Sequence, residues 1–174
     1  MEATQDLLWE QGYSATSPKD IMRRSGAGQG SMYHHFTNKQ ELAVVALECS
    51  AQSMRHDAEK LLATDGSAYE IATAYLRRQR DVLKGCRMGR MTFDADVLNT
   101  PELIEPVKRT FVWLLEALTV LFERGRDQGE FAADIDARNL ASLVVATVQG
   151  GYVLARATRD TDAFDAAVEG AAAL

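Results

Sequence analysis

Apolar residues return at intervals of three and four almost everywhere along this chain, and no stretch alternates apolar and polar positions for long enough to make a strand. That periodicity belongs to helices with one buried stripe and predicts an all-α protein. A first helix is expected over about Ala3 to Glu10, with Leu7 and Leu8 inward and Gly12 ending it. It is short enough to look as if its opening turns were missing. A second begins at Ser17: the serine suits an N-cap, Pro18 suits the first helical position, and Asp20 stands three residues on to complete a capping box. Gly26 and Gly28 interrupt the chain before a third helix from about Gln29 to Phe36.

A fourth helix opens near Asn38, carries Leu42, Val45, Ala46 and Cys49 on one face, and runs toward Leu62. After the break from Thr64 to Ser67 the pattern predicts a helix with Tyr69, Ala72, Leu76 and Leu83, stopped by Gly85, then a short segment from Met88 to Val97. Thr100 and Pro101 announce a long helix with the stripe Leu103, Val107, Phe111, Leu114, Leu118 and Leu121, and Pro106 is expected near the start of its regular part. Asp136 caps a helix to about Ala157 that is apolar on several faces, and a last helix covers Asp162 to Leu174. Covering those two helices in a chain of 174 residues calls for a second subunit, a homodimer held by a four-helix bundle. Gly150 and Gly151 would permit close helix approach, or mark a kink or room for a ligand.

Composition then excludes several function classes. No uninterrupted apolar run is long enough to cross a bilayer and no basic-then-apolar leader opens the chain, so a cytoplasmic protein without a membrane partner is expected. Cys49 and Cys86 are too few for a disulfide framework and lack metal-ligand spacing, so reduced thiols, no metal and no cofactor are expected. His34 and His35 would diverge by about 100° on a helix. With no HExxH pattern and no Ser, Cys and His constellation, an enzyme is not expected.

Two short helices around a glycine-containing turn make either a helix-turn-helix, whose second helix enters the major groove, or a plain helical hairpin with polar residues facing water. With Ile21, Met22, Met32 and Phe36 inward, Gln29, Ser31, Tyr33, His34 and His35 are left for solvent or a ligand. Glutamine pairs with adenine, and serine and tyrosine hydroxyls suit base edges or phosphate oxygens. The string itself goes further. Gly12, Ser17, Asp20-Ile21, Gly26, Met32-Tyr33-His34-His35-Phe36 and Lys39-Gln40-Glu41-Leu42 together resemble the N-terminal signature of the tetracycline-repressor (TetR) family of transcriptional regulators, over residues 3 to about 47. Beyond it the helices suit that family's ligand-binding and dimerisation region, with Gly85-Cys86 as weaker support.

The resemblance implies a helix-turn-helix DNA-binding domain over 1–47 and a helical ligand-binding and dimerisation domain over 48–174. It implies a homodimeric repressor on a palindromic double-stranded DNA operator, released by a small-molecule effector. Base-edge contacts fall to Gln29, Ser31 and His34, and phosphate contacts to Tyr33, His35 and Lys39. Ser17 and Lys19 anchor a flanking phosphate at a helix N-terminus. Gly30 weakens the recognition helix by about 1 kcal/mol relative to alanine but permits close approach to a backbone.

Charge supports a competing expectation. Net charge is −6, and residues 1–48 hold Lys19, Arg23, Arg24 and Lys39 against Glu2, Asp6, Glu10, Asp20, Glu41 and Glu48. Family members usually carry a longer, often basic arm before the first helix, and Met1 begins beyond it. A dimeric helical small-molecule-binding protein with weak or lost DNA binding fits these features. For the effector pocket, Cys86, Met88, Met91 and Phe93, with Phe111 and Trp113, offer soft adaptable surface, or are ordinary core residues. Asp94 and Asp96 beside them either attract a cationic lipophile or sit solvated at a helix end. Cys86, between basic neighbours Arg87 and Arg90, is either an inert thiol or an electrophile sensor.

Overall fold

A computed structural model describes residues 1–28, 30 and 34–173, and every regular element among the described residues is a helix. In chain order these are α1 (Glu2–Gln11), α2 (Pro18–Ser25), α3 (Lys39–Leu62), α4 (Ala68–Arg77), α5 (Arg87–Met91), α6 (Ala95–Asn99), α7 (Pro101–Asp127), α8 (Ala137–Thr158) and α9 (Asp162–Ala172). The all-α expectation holds. The described residues divide into two compact units, Met1–Met54 with Cys86–Thr110 and Arg55–Gly85 with Phe111–Leu174; two of the three divisions fall inside α3 and α7, and the third lies between α4 and α5.

In the first unit, Leu7, Ile21 and Leu42 form a buried cluster on which Met22 and Phe36 pack. α1 stops at Gly12, whose φ of 88° is a conformation glycine adopts without Cβ strain, and whose N–H returns to the Leu8 carbonyl. α2 has the expected start: the Asp20 amide donates to Ser17 Oγ while the Asp20 carboxylate accepts from the Ser17 amide, and Gly26 ends the helix in the left-handed region. α3 buries Leu42, Ala43, Ala46 and Leu47, whereas Val45 is exposed and Cys49 half-buried. Its buried stripe is therefore rotated from the expected one, because Ala43 and Leu47 face the interior. Met88, Met91, Val97, Leu103 and Val107 complete the interior of this unit. α7 begins at Pro101 and runs unbroken through Pro106, without waiting for that proline to start it. Pro106 lacks the N–H that would reach back to residue 102, which lies exposed in the first turn.

In the second unit α4 ends at Arg77, well before Gly85. Arg78 turns extended, and Arg80 folds its guanidinium back to donate to the carbonyls of Tyr75, Leu76 and Arg78 at 2.5–2.8 Å. A cation on those terminal carbonyls closes the helix, and Leu83 is left exposed. α8 buries Ala137, Ala141, Val144, Val145, Val148, Gly151, Tyr152 and Ala155, while Leu143, Val153 and Leu154 stay exposed. Although it lacks an uninterrupted apolar run, α8 is long and apolar enough overall to cross a bilayer. Its buried stripe instead packs into the core of this unit. A Cβ on Gly151 would lie 2.8 Å from the Phe164 ring, so this glycine serves the α8–α9 contact within the chain. Gly150 faces open space.

Candidate nucleic-acid interface and effector cavity

Of the nine residues expected at DNA, Gln29, Ser31 and Tyr33 lie outside the described residues, as does Met32. Gly30, His34 and His35 are helical and exposed, and the two imidazole rings meet edge to face at 4.8 Å. No described atom lies within 4 Å of a Cβ built on Gly30. Ser17 and Lys19 sit at the start of α2, as the cap requires. The Ser17 hydroxyl donates to Asp20 Oδ2 at 2.6 Å, and the hydrogen bonds from the Ser17 hydroxyl and amide hold the Asp20 carboxyl below the usual range. A phosphate approaching this N-terminus therefore meets a carboxylate already there.

The basic side chains of this region are mostly engaged within the protein. Arg23 pairs with Asp20 at 2.7 Å, and Arg24 spans both carboxylate oxygens of Glu10. Lys39 donates its ammonium to the Tyr13 carbonyl at 2.8 Å and lies 3.9 Å from the centre of the Tyr13 ring. Burial holds that ammonium below the ordinary lysine range, and the carboxylates of Asp96 and Asp94 oppose the shift. Lys19 is exposed and makes no ion pair with the described residues.

The turn joining α1 to α2 is anchored by Asp94. Its Oδ2 accepts from the Ser14 amide at 2.8 Å and its Oδ1 from the Ser14 hydroxyl at 2.5 Å, while its side chain also caps α6 through the Asp96 and Val97 amides. Burial alone would raise the Asp94 pKa, but these hydrogen bonds outweigh it and hold the carboxyl below its ordinary value. Asp96 Oδ2 lies 2.9 Å from the same Ser14 hydroxyl. These two acids serve the turn between α1 and α2, a use their sequence setting did not suggest.

The residues expected to line an effector pocket are dispersed. Met88 and Met91 are fully buried and Phe93 is largely exposed, all in the first unit. Cys86 caps α5, its Sγ accepting from the Gly89 amide at 3.2 Å. Its neighbour Arg87 is committed to Asp6 at 2.9 Å and to the face of Trp9. Phe111 and Trp113 belong to the second unit, with Trp113 under the Arg55 guanidinium.

The second unit holds a cavity of about 440 Å³ that none of these six residues lines. Its walls are Leu76 of α4, Phe122 of α7, Leu140 and Val144 of α8, and Phe131 and Ile135 from the connection between α7 and α8. Tyr69 stands at the wall with its hydroxyl donating to the Ala172 carbonyl at 2.9 Å and its amide to Glu130 at 3.1 Å. Phe131 meets Phe122 edge to face at 5.7 Å. That ring is seated by Gly125, where a Cβ would come within 2.5 Å of Phe131 and 2.6 Å of Ala68 Cβ. The one sequence signal for this wall was Phe131 and Ile135, two apolar residues in a connection between helices.

Comparison with known proteins agrees with both halves of this description. Residues 1–46 match the family described as bacterial regulatory proteins, tetR family, and residues 66–171 match the tetracyclin repressor-like C-terminal domain. An uncharacterized HTH-type transcriptional regulator, YxaF of Bacillus subtilis, is 24% identical over 161 residues, covering 88% of this chain and 81% of its own. Among solved structures, a TetR transcriptional regulator from Chloroflexus aurantiacus superposes with a TM-score of 0.87 at 28% identity, over 98% of this chain and 90% of that one. FadR of Bacillus subtilis, solved in complex with stearoyl-CoA, shares the fold at a TM-score of 0.75 and 16% identity, over 99% of this chain and 94% of that one. With one profile on the helix-turn-helix and another spanning most of the remaining chain, this protein belongs to the TetR family of bacterial transcriptional regulators.

Proposed function

We propose that this chain is a ligand-responsive, DNA-binding transcriptional regulator that works as a homodimeric repressor, leaving a palindromic operator when a small molecule binds. The observation that carries the reading is the family match over residues 1–46, together with the capping box and αL stop that bound α2 in the same segment. In this reading residues 1–47 engage DNA, with Gln29, Ser31 and His34 at base edges, Tyr33 and His35 on phosphate, and Lys19 at the flank. Lys39 acts on phosphate only if it leaves Tyr13; where it stands, it braces the turn before α2. Residues 48–174 dimerise and bind the effector in the cavity between α4, α7, α8 and α9. The exposed apolar side chains Val153 and Leu154 and the open Gly150 supply a face for the second copy.

A second reading, a dimeric ligand-binding protein with weak operator affinity, is favoured by the internal pairing of Arg23, Arg24 and Lys39. Gel-shift titration on the DNA upstream of the protein's own gene separates the two. A retarded complex that an added effector dissolves supports repression, one that requires the effector reverses the sign, and none at low salt favours the second reading.

A further inference from the structure

The chemistry of the cavity in the second unit goes beyond the statement that an effector binds there, and the inference rests on that reading of the chain. Among the described residues that line it there is one formal charge, Asp136, and no lysine, arginine or histidine. Glu130, whose carboxylate accepts from the Tyr69 amide, adds a second negative charge beside the wall. Apart from Tyr69, Thr73, Asp136 and Asn139, the lining is aliphatic or aromatic. An anionic headgroup entering this space would lose its hydration, find no cationic side chain among the described lining residues, and meet the carboxylates of Asp136 and Glu130. A neutral ring system would lose little, and a cation would gain from the carboxylates and from the faces of Tyr69, Phe122 and Phe131.

We infer that this cavity takes a ring-containing, uncharged or cationic lipophile of drug-like size and rejects acyl carboxylates, sulfonates and phosphates. The volume of about 440 Å³ suits such a molecule. Gly125 sets that volume from behind: it is the absence of a Cβ there that lets the Phe131 ring sit back against α4 and α7.

A matched pair of fluorescent probes tests this on the full chain: N-phenyl-1-naphthylamine, which is neutral, and 8-anilinonaphthalene-1-sulfonate, which carries the same rings and a sulfonate. The neutral probe is expected to bind about tenfold tighter or more. Leu140→Trp, at a half-exposed lining position, fills the space and is expected to weaken the neutral probe at least about tenfold, with the far-ultraviolet circular dichroism unchanged. Asp136→Asn keeps an α8 cap, since asparagine caps as well as aspartate, and removes the charge. It is expected to leave the neutral probe unaffected, strengthen the sulfonate, and weaken a naphthylmethyl-trimethylammonium cation about threefold.

Equal or tighter binding of the sulfonate overturns the inference, as does neutral-probe affinity that survives Leu140→Trp. Probe affinity that falls as protein concentration rises overturns it too, because the space is then filled by a second copy. Operator binding is measured in parallel without probes. If operator binding holds while the probe results go the wrong way, the ligand class fails and the regulator reading stands. If the probes behave as stated while no operator complex forms, the reverse is true.

Discussion

The two compact units of this chain differ in what they leave unsatisfied. In the first, polar groups are matched to one another: Ser14 with Asp94, Lys39 with Tyr13, Arg24 with Glu10, Arg87 with Asp6, and Gln5 with Ser50. The second also has paired charges, such as Arg77 with Glu169, but it leaves apolar surface open at Val153 and Leu154 and in its cavity, which Leu143 lines. An unpaired polar group costs free energy only when buried, whereas exposed apolar area costs wherever it lies. The first unit exposes Phe93 and Leu98 as well, so what sets the second apart is that open apolar residues gather along α8 beside a cavity, which suits a second copy on one face and a ligand within. The first is a pre-set reader whose charges are already placed.

The largest expected effect breaks the second unit's open face. A Cβ placed on Gly150 meets no described atom within 4 Å, so Gly150→Arg fits the isolated subunit and places a charge on the proposed dimer face. Sedimentation is expected to show association weakened by about 100-fold or more, with monomer unfolding unchanged or slightly improved by removal of a helical glycine. A variant that remains dimeric at the parent concentration would move the interface elsewhere. Next comes Gly125→Ala, which forces a methyl onto Phe131 and Ala68. Overpacking of this kind costs about 1–3 kcal/mol, read as a fall of several degrees in the unfolding midpoint and as reduced probe binding.

How far each unit was legible from sequence follows the same division. The capping box of α2 needs only Ser17, Pro18 and Asp20, three neighbours whose chemistry is local, and it stands as read. The long helices α7 and α8 were legible because a stripe such as Leu103, Val107, Leu114, Leu118 and Leu121 repeats for many turns. The end of α4 was not, because it is made by Arg80 reaching back with its guanidinium, and no glycine or proline marks the place. The cavity was not, because its walls come from several helices and a connection far apart in the chain. Met88 and Met91 left two readings open, adaptable pocket surface or ordinary core, and they are packed to full burial, since the same softness that suits a ligand suits an irregular core.

A smaller effect tests whether the first unit's polar matching carries stability. Asp94→Ala removes the acceptor of the Ser14 amide and the cap of α6 together, leaving Asp96 to accept from the Ser14 hydroxyl, for an expected loss of about 1 kcal/mol near neutral pH. The pH dependence has a definite sign. The folded-state pKa of Asp94 lies below its unfolded value, so its contribution is fully present above the ordinary aspartate value near 3.8 and is lost as pH falls through the lower, folded value. The difference between parent and Asp94→Ala should thus be constant from neutral pH down to about pH 5 and shrink below the ordinary value. A difference that grows on acidification would mean the carboxylate is not held by Ser14.

The smallest effect separates two lysines that the family resemblance treats alike. Lys19 is exposed at the start of α2, while Lys39 is half-buried with its ammonium on the Tyr13 carbonyl and ring. A lysine that neutralises a phosphate contributes about 0.9 to the slope of log affinity against log salt. Lys19→Ala is therefore expected to reduce that slope by about one and weaken operator binding a few-fold across all sequences. Lys39→Ala should leave the slope within error of the parent and act on the unfolding midpoint, because its donor is engaged inside the unit. If instead Lys39→Ala takes about one from the slope, the ammonium exchanges Tyr13 for phosphate when DNA arrives. The turn before α2 would then be remade by operator binding, and the first unit would be a responsive reader in place of a pre-set one.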